Sequence, residues 1–334
     1  MGATIQTVSE AYAELVHYTT GSGLKGILES QALWASHSAF LNDPSEIRYF
    51  FEARCSTVVT EAILKGIEDG ELRPLDKDSA FTDEELRRQV EETATDLTAT
   101  ITSTTKEFNR PFLLSFCGTN DSDIAHDGIL SQWRAYGTDG GYAIVFDSSE
   151  LERRLKDEAR AYFYQHMQLG TVFYYRRGSG VEGAEAEIRE SEENMKKSTV
   201  KFLQDRKPEN LEGMYIAVTT LSGLYKHWGF NEEQEVRVIA VHPHETVLEE
   251  SSYKSRPYRK VNSYLRNGML VPYLAIFSAN EGDSDRKPLP IKRVIVGPHS
   301  EAERRAQSVS YLAKELGLNF EVSVSRIPFI GSAS

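Results

Sequence analysis

Short apolar or alternating runs recur along the chain, and we interpret them as strands because many are rich in β-branched and aromatic residues. These runs lie at 15–18, 33–35, 112–117, 141–147, 169–175, 235–241, 269–277, 291–296 and 320–324. Segments with helical character lie between them, at 22–30, 44–64, 82–107, 149–159, 180–226 and 302–316. Strands and helices do not alternate regularly, so the pattern predicts an α+β fold with a mixed sheet rather than a doubly wound parallel one.

Two capping signals predict where long helices begin. Asp43 and Glu46 form a D-x-x-E box with Pro44 at the first helical position, and Thr82 opens a second box. The segment 180–226 is predicted to break into two helices near Lys207-Pro208.

Composition mainly excludes classes of protein. Of 334 residues, 40% are hydrophobic and 26% charged, and no apolar run approaches the roughly 20 residues of a membrane span. The net charge of −12 argues against a generally sticky nucleic-acid binder, and two cysteines cannot form a disulfide framework. The N-terminus lacks the basic and apolar regions of an export signal. We therefore expect a cytoplasmic globular protein without a membrane partner.

The first glycine-rich stretch, 21–26, has the G-x-G-x-x-G spacing of dinucleotide-binding folds. A Rossmann unit also needs a buried strand, a full crossover helix and a second parallel strand, over about 30 residues or more. Here an imidazole, His17, interrupts the preceding strand, and about two helical turns follow before Leu33. The glycines are better interpreted as a tight turn out of the strand that bears His17.

Several catalytic motifs are absent from the sequence. It contains no G-x-x-x-x-G-K-[ST] loop, no G-x-S-x-G elbow and no H-E-x-x-H helix. The close pair His242-Pro-His244 lacks further ligands at zinc spacing, so we expect no metal site. Cys55 and Cys117 are expected to be buried apolar groups rather than nucleophiles.

Three polar-aromatic blocks remain, and each is predicted to lie at a strand boundary, where a sheet can present side chains to a ligand. They are His17-Tyr18-Thr19, the stretch 132–137 and the stretch 230–237. The alternatives are a capped strand, a solvated acidic turn and an ordinary ion pair. For Glu235, at the start of a buried strand, both interpretations stay open.

Taken in order, HYTT, LWASHSAFLNDPSE, SQWRAYG with GYAIVFD, EEQEVRV and LPIKRVIVGPHSEAE with VSVSRIP resemble an uncharacterised bacterial domain-of-unknown-function family over 15–329. More distantly, the chain is similar to the ADP-ribosyltransferase superfamily. That similarity implies one domain over 1–334, with an ADP-ribosyltransferase-like mixed split β-sheet, flanking helices, and helical insertions near 44–108 and 180–226.

The superfamily resemblance also implies a site with NAD as substrate. A first-strand His, a central aromatic and a late Glu correspond to His17, Tyr136 and Glu235 as catalytic residues, expected to converge on one cleft with Arg134. Trp133 is the alternative for the central aromatic. The remaining residues implied to bind NAD are Tyr18, Thr19, Trp133, Arg134 and Asn42, with His17 among them. The carboxylate would stabilise the ribosyl cation as nicotinamide leaves.

A basic segment with interleaved tyrosines predicts where an acceptor binds. Arg256, Arg259 and Lys260 belong to it, and a solvated loop is the alternative. We expect an NAD-consuming ADP-ribosyltransferase, a toxin or anti-phage defence effector with a nucleic-acid or protein acceptor and an antitoxin as a further partner. An NAD glycohydrolase and a non-catalytic nucleic-acid or partner-binding module are the alternative functions.

Overall fold

The computed structural model describes residues 7–41, 46–72, 83–108, 111–136, 141–181, 184, 186–207, 210–244, 256–278 and 288–328. The strands are β1 (Glu14–Thr19), β2 (Leu33–His37), β3 (Phe112–Thr119), β4 (Tyr142–Asp147), β5 (His166–Thr171), β6 (Phe173–Tyr175), β7 (Tyr225–His227), β8 (Glu235–Val241), β9 (Val261–Arg266), β10 (Met269–Ile276), β11 (Ile291–Val296) and β12 (Glu321–Val324).

Helices account for most of the other described residues. The α-helices are α1 (Val8–Ala11), α2 (Gly21–Ser30), α3 (Glu46–Phe50), α4 (Ser56–Glu68), α5 (Asp83–Phe108), α6 (Ser122–Asp127), α7 (Leu130–Tyr136), α8 (Ser148–Ala161), α9 (Ala186–Asp205), α10 (Asn210–Leu224) and α11 (Ala302–Glu315). A π-helix (Phe51–Cys55) joins α3 to α4, and 3-10 helices lie at Ser38–Phe40 and Trp228–Glu233. Within the described ranges, every helix is too short or too polar to cross a membrane.

Ten strands form one open, mixed sheet. Its main path has the order β12-β11-β4-β1-β3-β2-β10-β9, and β8 joins β3 to β5. The β11–β12 pair is parallel, whereas the other described pairs of this sheet are antiparallel. A separate parallel ribbon consists of β6 and β7.

The sheet forks at β3. Along one edge, β8 pairs with β3 from Phe112 to Cys117. The other edge is divided, because β1 pairs with residues 117–119 and β2 with residues 112–113. The two partner strands therefore separate beside the middle of β3.

Two apolar cores cover the two faces of this sheet. On one face, Leu15 and Phe116 pack with residues of α2 and α8. On the other, Leu113 and Ile239 pack against α4, α5, α9 and α10. These helices occupy the ranges expected for the helical insertions, and they bury part of the sheet rather than extending from it.

The prediction of an α+β fold with a mixed sheet is confirmed, although three local elements differ. The run 169–175 divides at Val172, so that β5 joins the main sheet and β6 the small ribbon. Ser131–Tyr136 is helical, with Trp133 turned into the core. Strand β9 has no apolar signal, because its side chains are mostly exposed at the end of the sheet.

Candidate functional site

The strand register decides which predicted residues share a face of the sheet. Val16, Cys117 and Glu235 lie directly opposite one another across β1, β3 and β8, so their side chains project to one face. Tyr18, two residues after Val16, projects to that face as well, and Tyr18 and Cys117 belong to the same apolar cluster. His17 projects to the opposite face, where its ring contacts Phe116 at 5.7 Å.

Glu235 lies in a charged cluster formed with Glu46, Lys226, Glu233 and Arg237. Its Oε1 accepts from Arg237 Nε at 2.7 Å, and its Oε2 accepts from Lys226 Nζ at 2.8 Å. Lys226 also contacts Glu233 at 2.6 Å and Glu46 at 3.4 Å, and Arg237 donates to Glu46. Three carboxylates and two cations leave the cluster with one net negative charge.

Burial divides the cluster into a centre and a rim. The side chains of Lys226, Glu235 and Arg237 are buried, whereas Glu46 and Glu233 keep 17% and 19% of their side-chain surface exposed. A ligand could therefore approach the cluster at the two rim carboxylates, while Glu235 lies behind them.

The environment separates the pKa values of the two neighbouring carboxylates. Burial alone would raise the pKa of Glu235, but the charges of Arg237 and Lys226 outweigh it and lower that pKa to about 2. For Glu233, burial raises the pKa and the charge of Lys226 only partly offsets it. Glu235 is thus ionised throughout the neutral range, whereas the pKa of Glu233 lies above its ordinary value.

The backbone places this cluster through segments distant in sequence. Glu46 opens α3, Lys226 lies in β7, and Glu235 and Arg237 begin β8. The Tyr174 hydroxyl accepts from the Glu235 amide at 2.7 Å, and Arg237 Nη1 donates to the Gly223 carbonyl at 2.9 Å. These hydrogen bonds fix both ends of the central ion pair.

The aromatic residues of the first two blocks meet beside Cys117. Tyr18 and Trp133 make an edge-on contact at 5.0 Å, and the Tyr18 hydroxyl accepts from the Ile129 amide at 2.8 Å. Trp133 is 1% exposed, and its Nε1 donates to the Asp127 carbonyl at 2.9 Å. Both rings therefore support the face that bears the charged cluster, and neither is an open stacking surface.

His17 lies at the fork of the sheet. Its Nδ1 is 2.9 Å from the Ser115 carbonyl oxygen, which can only accept, so Nδ1 bears the hydrogen and Nε2 has a free lone pair. Burial lowers the pKa of His17, and the hydrogen bond to Ser115 opposes this only in part. The ring is therefore neutral at pH 7.

The other predicted NAD-binding residues lie in different settings. Thr19 ends β1, and a Cβ at Gly23 would lie 2.1 Å from its Oγ1, which explains one glycine of the 21–26 stretch. Arg134 is exposed on α7. Asn42 and the side chain of Tyr136 lie outside the part of the chain that the structure describes.

The basic segment contains one deeply buried cation. Arg259 is 7% exposed, pairs with both carboxylate oxygens of Glu158 at 2.7 Å, and stacks on Tyr162 at 3.5 Å. Arg256 donates to carbonyls at the end of α8, including that of Arg160 at 3.2 Å, and Lys260 is exposed. Arg259 thus holds α8 in place, and each of its guanidinium nitrogens donates to a protein oxygen.

Two cavities lie elsewhere in the described structure. One, of about 440 Å³, is lined by α1, α8, β5 and α9, and the other, of about 510 Å³, lies between the π-helix and the loop after β6. His17, Arg134 and Glu235 line neither of them. Among the described residues, no group of three His, Cys, Asp or Glu side chains could hold a metal ion.

The sequence reasoning singled out Glu235 but not its buried partner Lys226. The available signal was a lysine directly after the apolar residues Leu224 and Tyr225, where a buried cation needs an acidic partner. For Glu46 the sequence predicts only a place in a helix cap. Its contact with Arg237 joins residues 191 positions apart, and no local pattern reports such a contact.

A family model described as "Protein of unknown function (DUF2971)" matches residues 132–238. The match begins at Gln132 in α7 and ends just after Arg237, so it contains Trp133 and the Lys226, Glu233, Glu235 and Arg237 members of the charged cluster. No curated protein and no solved structure matches the chain.

Proposed function

We propose that the chain is an NAD-consuming enzyme with ADP-ribosyltransferase-like chemistry, and that the charged cluster is its reaction centre. One observation supports this most directly. Glu235 is a buried, ionised carboxylate held by two cations, in a cluster of net negative charge that reaches solvent through two further carboxylates. Such a site favours a reaction in which positive charge develops on the substrate.

The proposed reaction breaks the bond between ribose C1′ of NAD and the nicotinamide nitrogen. The bonding electrons leave with nicotinamide, and the positive charge that remains on the ribose is stabilised by Glu235. An acceptor oxygen or nitrogen then bonds to C1′ and releases a proton. Glu233, whose pKa burial raises, is placed at the rim to take that proton.

In this proposal Glu235 is the catalytic residue, and Lys226 and Arg237 are positioning residues that hold its two oxygens. Tyr18, rather than His17, belongs to the face of the sheet that carries the cluster. His17 therefore has no part in the proposed step.

An NAD glycohydrolase is the second candidate, and Glu233 is the observation that favours it. A rim carboxylate with a raised pKa can activate water as well as a macromolecular acceptor. Incubation with NAD alone separates the two activities, because only the hydrolase releases nicotinamide steadily without an acceptor.

A non-catalytic module is the third candidate, because Glu235 is already occupied by two cations. Such an ion pair can have a purely structural role, in which it holds β8 against β7. The decisive measurement must therefore separate a loss of turnover from a loss of stability.

The test compares Glu235→Gln with a matched substitution, Glu158→Gln. Both residues are buried and both lose an ion pair with a buried arginine, but Glu158 lies on α8 and pairs with Arg259 outside the cluster. Nicotinamide release, NAD affinity and melting temperature are measured on both variants. We expect Glu235→Gln to reduce turnover by about 10² or more at nearly unchanged NAD affinity, while Glu158→Gln loses only stability.

Two results would contradict the proposal. Equal losses of stability with wild-type nicotinamide release in both variants would make Glu235 a structural residue. Failure of the wild-type chain to bind NAD would favour the non-catalytic module.

A further inference from the structure

A second polar surface lies next to the charged cluster, on the β6–β7 ribbon. We call it the arginine–tryptophan surface and define it by Arg176, Arg177, Trp228 and the cavity of about 510 Å³ that Arg177 lines. Trp228 follows Lys226 of the charged cluster by two residues, so the two sites are adjacent along one short segment.

The two arginines of this surface contact an aromatic ring and a backbone carbonyl. The guanidinium of Arg176 lies 3.8 Å from the centre of the Trp228 ring, and Arg177 Nη2 donates to the Glu52 carbonyl at 2.8 Å. Across the described residues, neither arginine pairs with a carboxylate. Both positive charges therefore remain available to an anion.

The cavity has the lining that a phosphate group requires. Ser56, Thr57 and Ser179 line it together with Arg177 and two glycines, Gly178 and Gly180, and the Ser179 hydroxyl donates to the Arg176 carbonyl at 2.7 Å. Hydroxyl and guanidinium groups donate hydrogen bonds to phosphate oxygens. A volume of about 510 Å³ also lies in the usual range of small-ligand sites.

Acidic residues are present, but most of their charge is already balanced. Glu61 lines the cavity and pairs with Arg54 at 2.9 Å and with Lys196 at 3.0 Å. Glu52 lies 4.0 Å from Arg48. Arg54 also pairs with Glu192 and Lys196 with Glu193, so these two cations and three carboxylates carry one net negative charge. Arg176 and Arg177 outweigh it and leave the surface with a small local positive charge, on a chain whose net charge is −12.

Exposed aromatic rings flank these charges. Trp228 and Phe230 each expose 41% of their surface. An indole beside guanidinium groups is the combination on which nucleic-acid bases stack while their phosphates are bound.

We propose that the arginine–tryptophan surface binds a nucleotide, with its base on the exposed part of the Trp228 ring and its phosphate at Arg177, Ser56 and Thr57. The nucleotide is either free or one unit of a single strand, because both present the same chemistry. Binding here does not rest on the proposed function. If that function is correct, the adjacent cluster makes this surface the place where a nucleotide-containing acceptor would bind.

The experiment titrates ADP and a ten-residue single-stranded oligonucleotide into the full chain and measures affinity at several salt concentrations. Arg176→Ala/Arg177→Ala is compared with Arg87→Ala/Arg88→Ala, which removes two neighbouring exposed arginines from α5. We expect the first double variant to weaken binding about tenfold or more and to reduce the salt slope for the oligonucleotide by about 0.7, because the phosphate contact of Arg177 is lost. The second should bind like the wild type.

A substitution of the ring tests stacking separately from charge. Trp228→Ala should weaken binding roughly tenfold, and Trp228→Phe should restore much of it, since one aromatic surface replaces another. Strong binding of ADP would identify a free nucleotide as ligand, and binding of the oligonucleotide alone would identify a strand.

The proposal is overturned if neither probe binds, or if the two double-arginine variants bind equally well. Glu235→Gln should bind both probes like the wild type. A chain that binds nucleotide but releases no nicotinamide would therefore contradict the proposed function and leave this inference standing.

Discussion

The hydrogen bond between His17 and Ser115 indicates a structural role for this histidine. Its Nδ1 donates to the Ser115 carbonyl at the point where β1 and β3 cease to pair. This bond links the strands across the fork, and the neutral ring fits a setting in which a charged imidazolium would be poorly solvated. We therefore expect His17 to contribute to stability in a pH-dependent way.

We predict that the substitution His17→Gln reduces the loss of stability on acidification. Burial lowers the pKa of His17 in the folded chain, so between the folded pKa and the unfolded value of about 6.5 the unfolded chain binds the extra proton. The stability due to the neutral ring is thus fully present above pH 6.5 and is lost as pH falls through the folded pKa. Glutamine keeps a donor for Ser115 but does not titrate.

Urea unfolding of the wild type and the variant at pH 7.5 and 5.5 measures this difference. His166→Gln is a matched comparison, because burial lowers the pKa of His166 too, and it should also flatten the pH dependence. Equal acid destabilisation of the wild type and His17→Gln would show that His17 is not a source of it.

The turn between α6 and α7 requires a glycine at position 128. Gly128 has a φ of 77° and a ψ of −173°, a backbone conformation that residues other than glycine rarely adopt. A Cβ there would lie 2.7 Å from the Trp133 ring. The turn therefore places the indole against the sheet only if position 128 lacks a side chain.

We predict that Gly128→Ala lowers the free energy of unfolding by roughly 2 to 4 kcal/mol, because backbone strain and overpacking act together. Gly317→Ala is the control, since Gly317 has a φ of 66° but nothing lies within 4 Å of a Cβ there. Denaturant unfolding of both variants measures the two losses. Similar losses would mean that the contact with Trp133 is relieved at little cost.

An element can be predicted from the sequence when the residues that determine it are close together in the chain. Strands with buried faces, such as β4 and β8, were predicted because their apolar residues are contiguous in sequence. The division of 169–175 was not, because it depends on which distant strand each half meets. The site shows the same limit, since the face on which Tyr18 lies depends on its register with β3, about 100 residues away.

Strand β3 connects the whole molecule, because β1, β2 and β8 all pair with it and it contributes to the apolar cores on both faces of the sheet. Phe116 packs in one core and Leu113 in the other, only three residues apart on the same strand. Neither core can lose β3 without exposing apolar surface of the other. The described structure therefore favours one cooperative unit.

We predict a single unfolding transition despite a length at which intermediates are common. Far-UV circular dichroism and tryptophan fluorescence should give the same midpoint, because Trp34, Trp133 and Trp228 lie in different regions of the chain. Two separated midpoints would instead show that the helices packed on one face unfold independently of the fork.

The fork also has a consequence for the chain while it is being made on the ribosome. Both strands that divide one edge of β3 precede it in the sequence, but β8, which covers the other edge, ends about 120 residues after β3 does. At a synthesis rate of about 5 to 20 residues per second, that edge stays uncovered for roughly 6 to 24 seconds. An open, largely apolar edge is a template for pairing with other nascent chains. We therefore expect the yield of folded protein to depend on whether a chaperone covers the nascent chain during that interval.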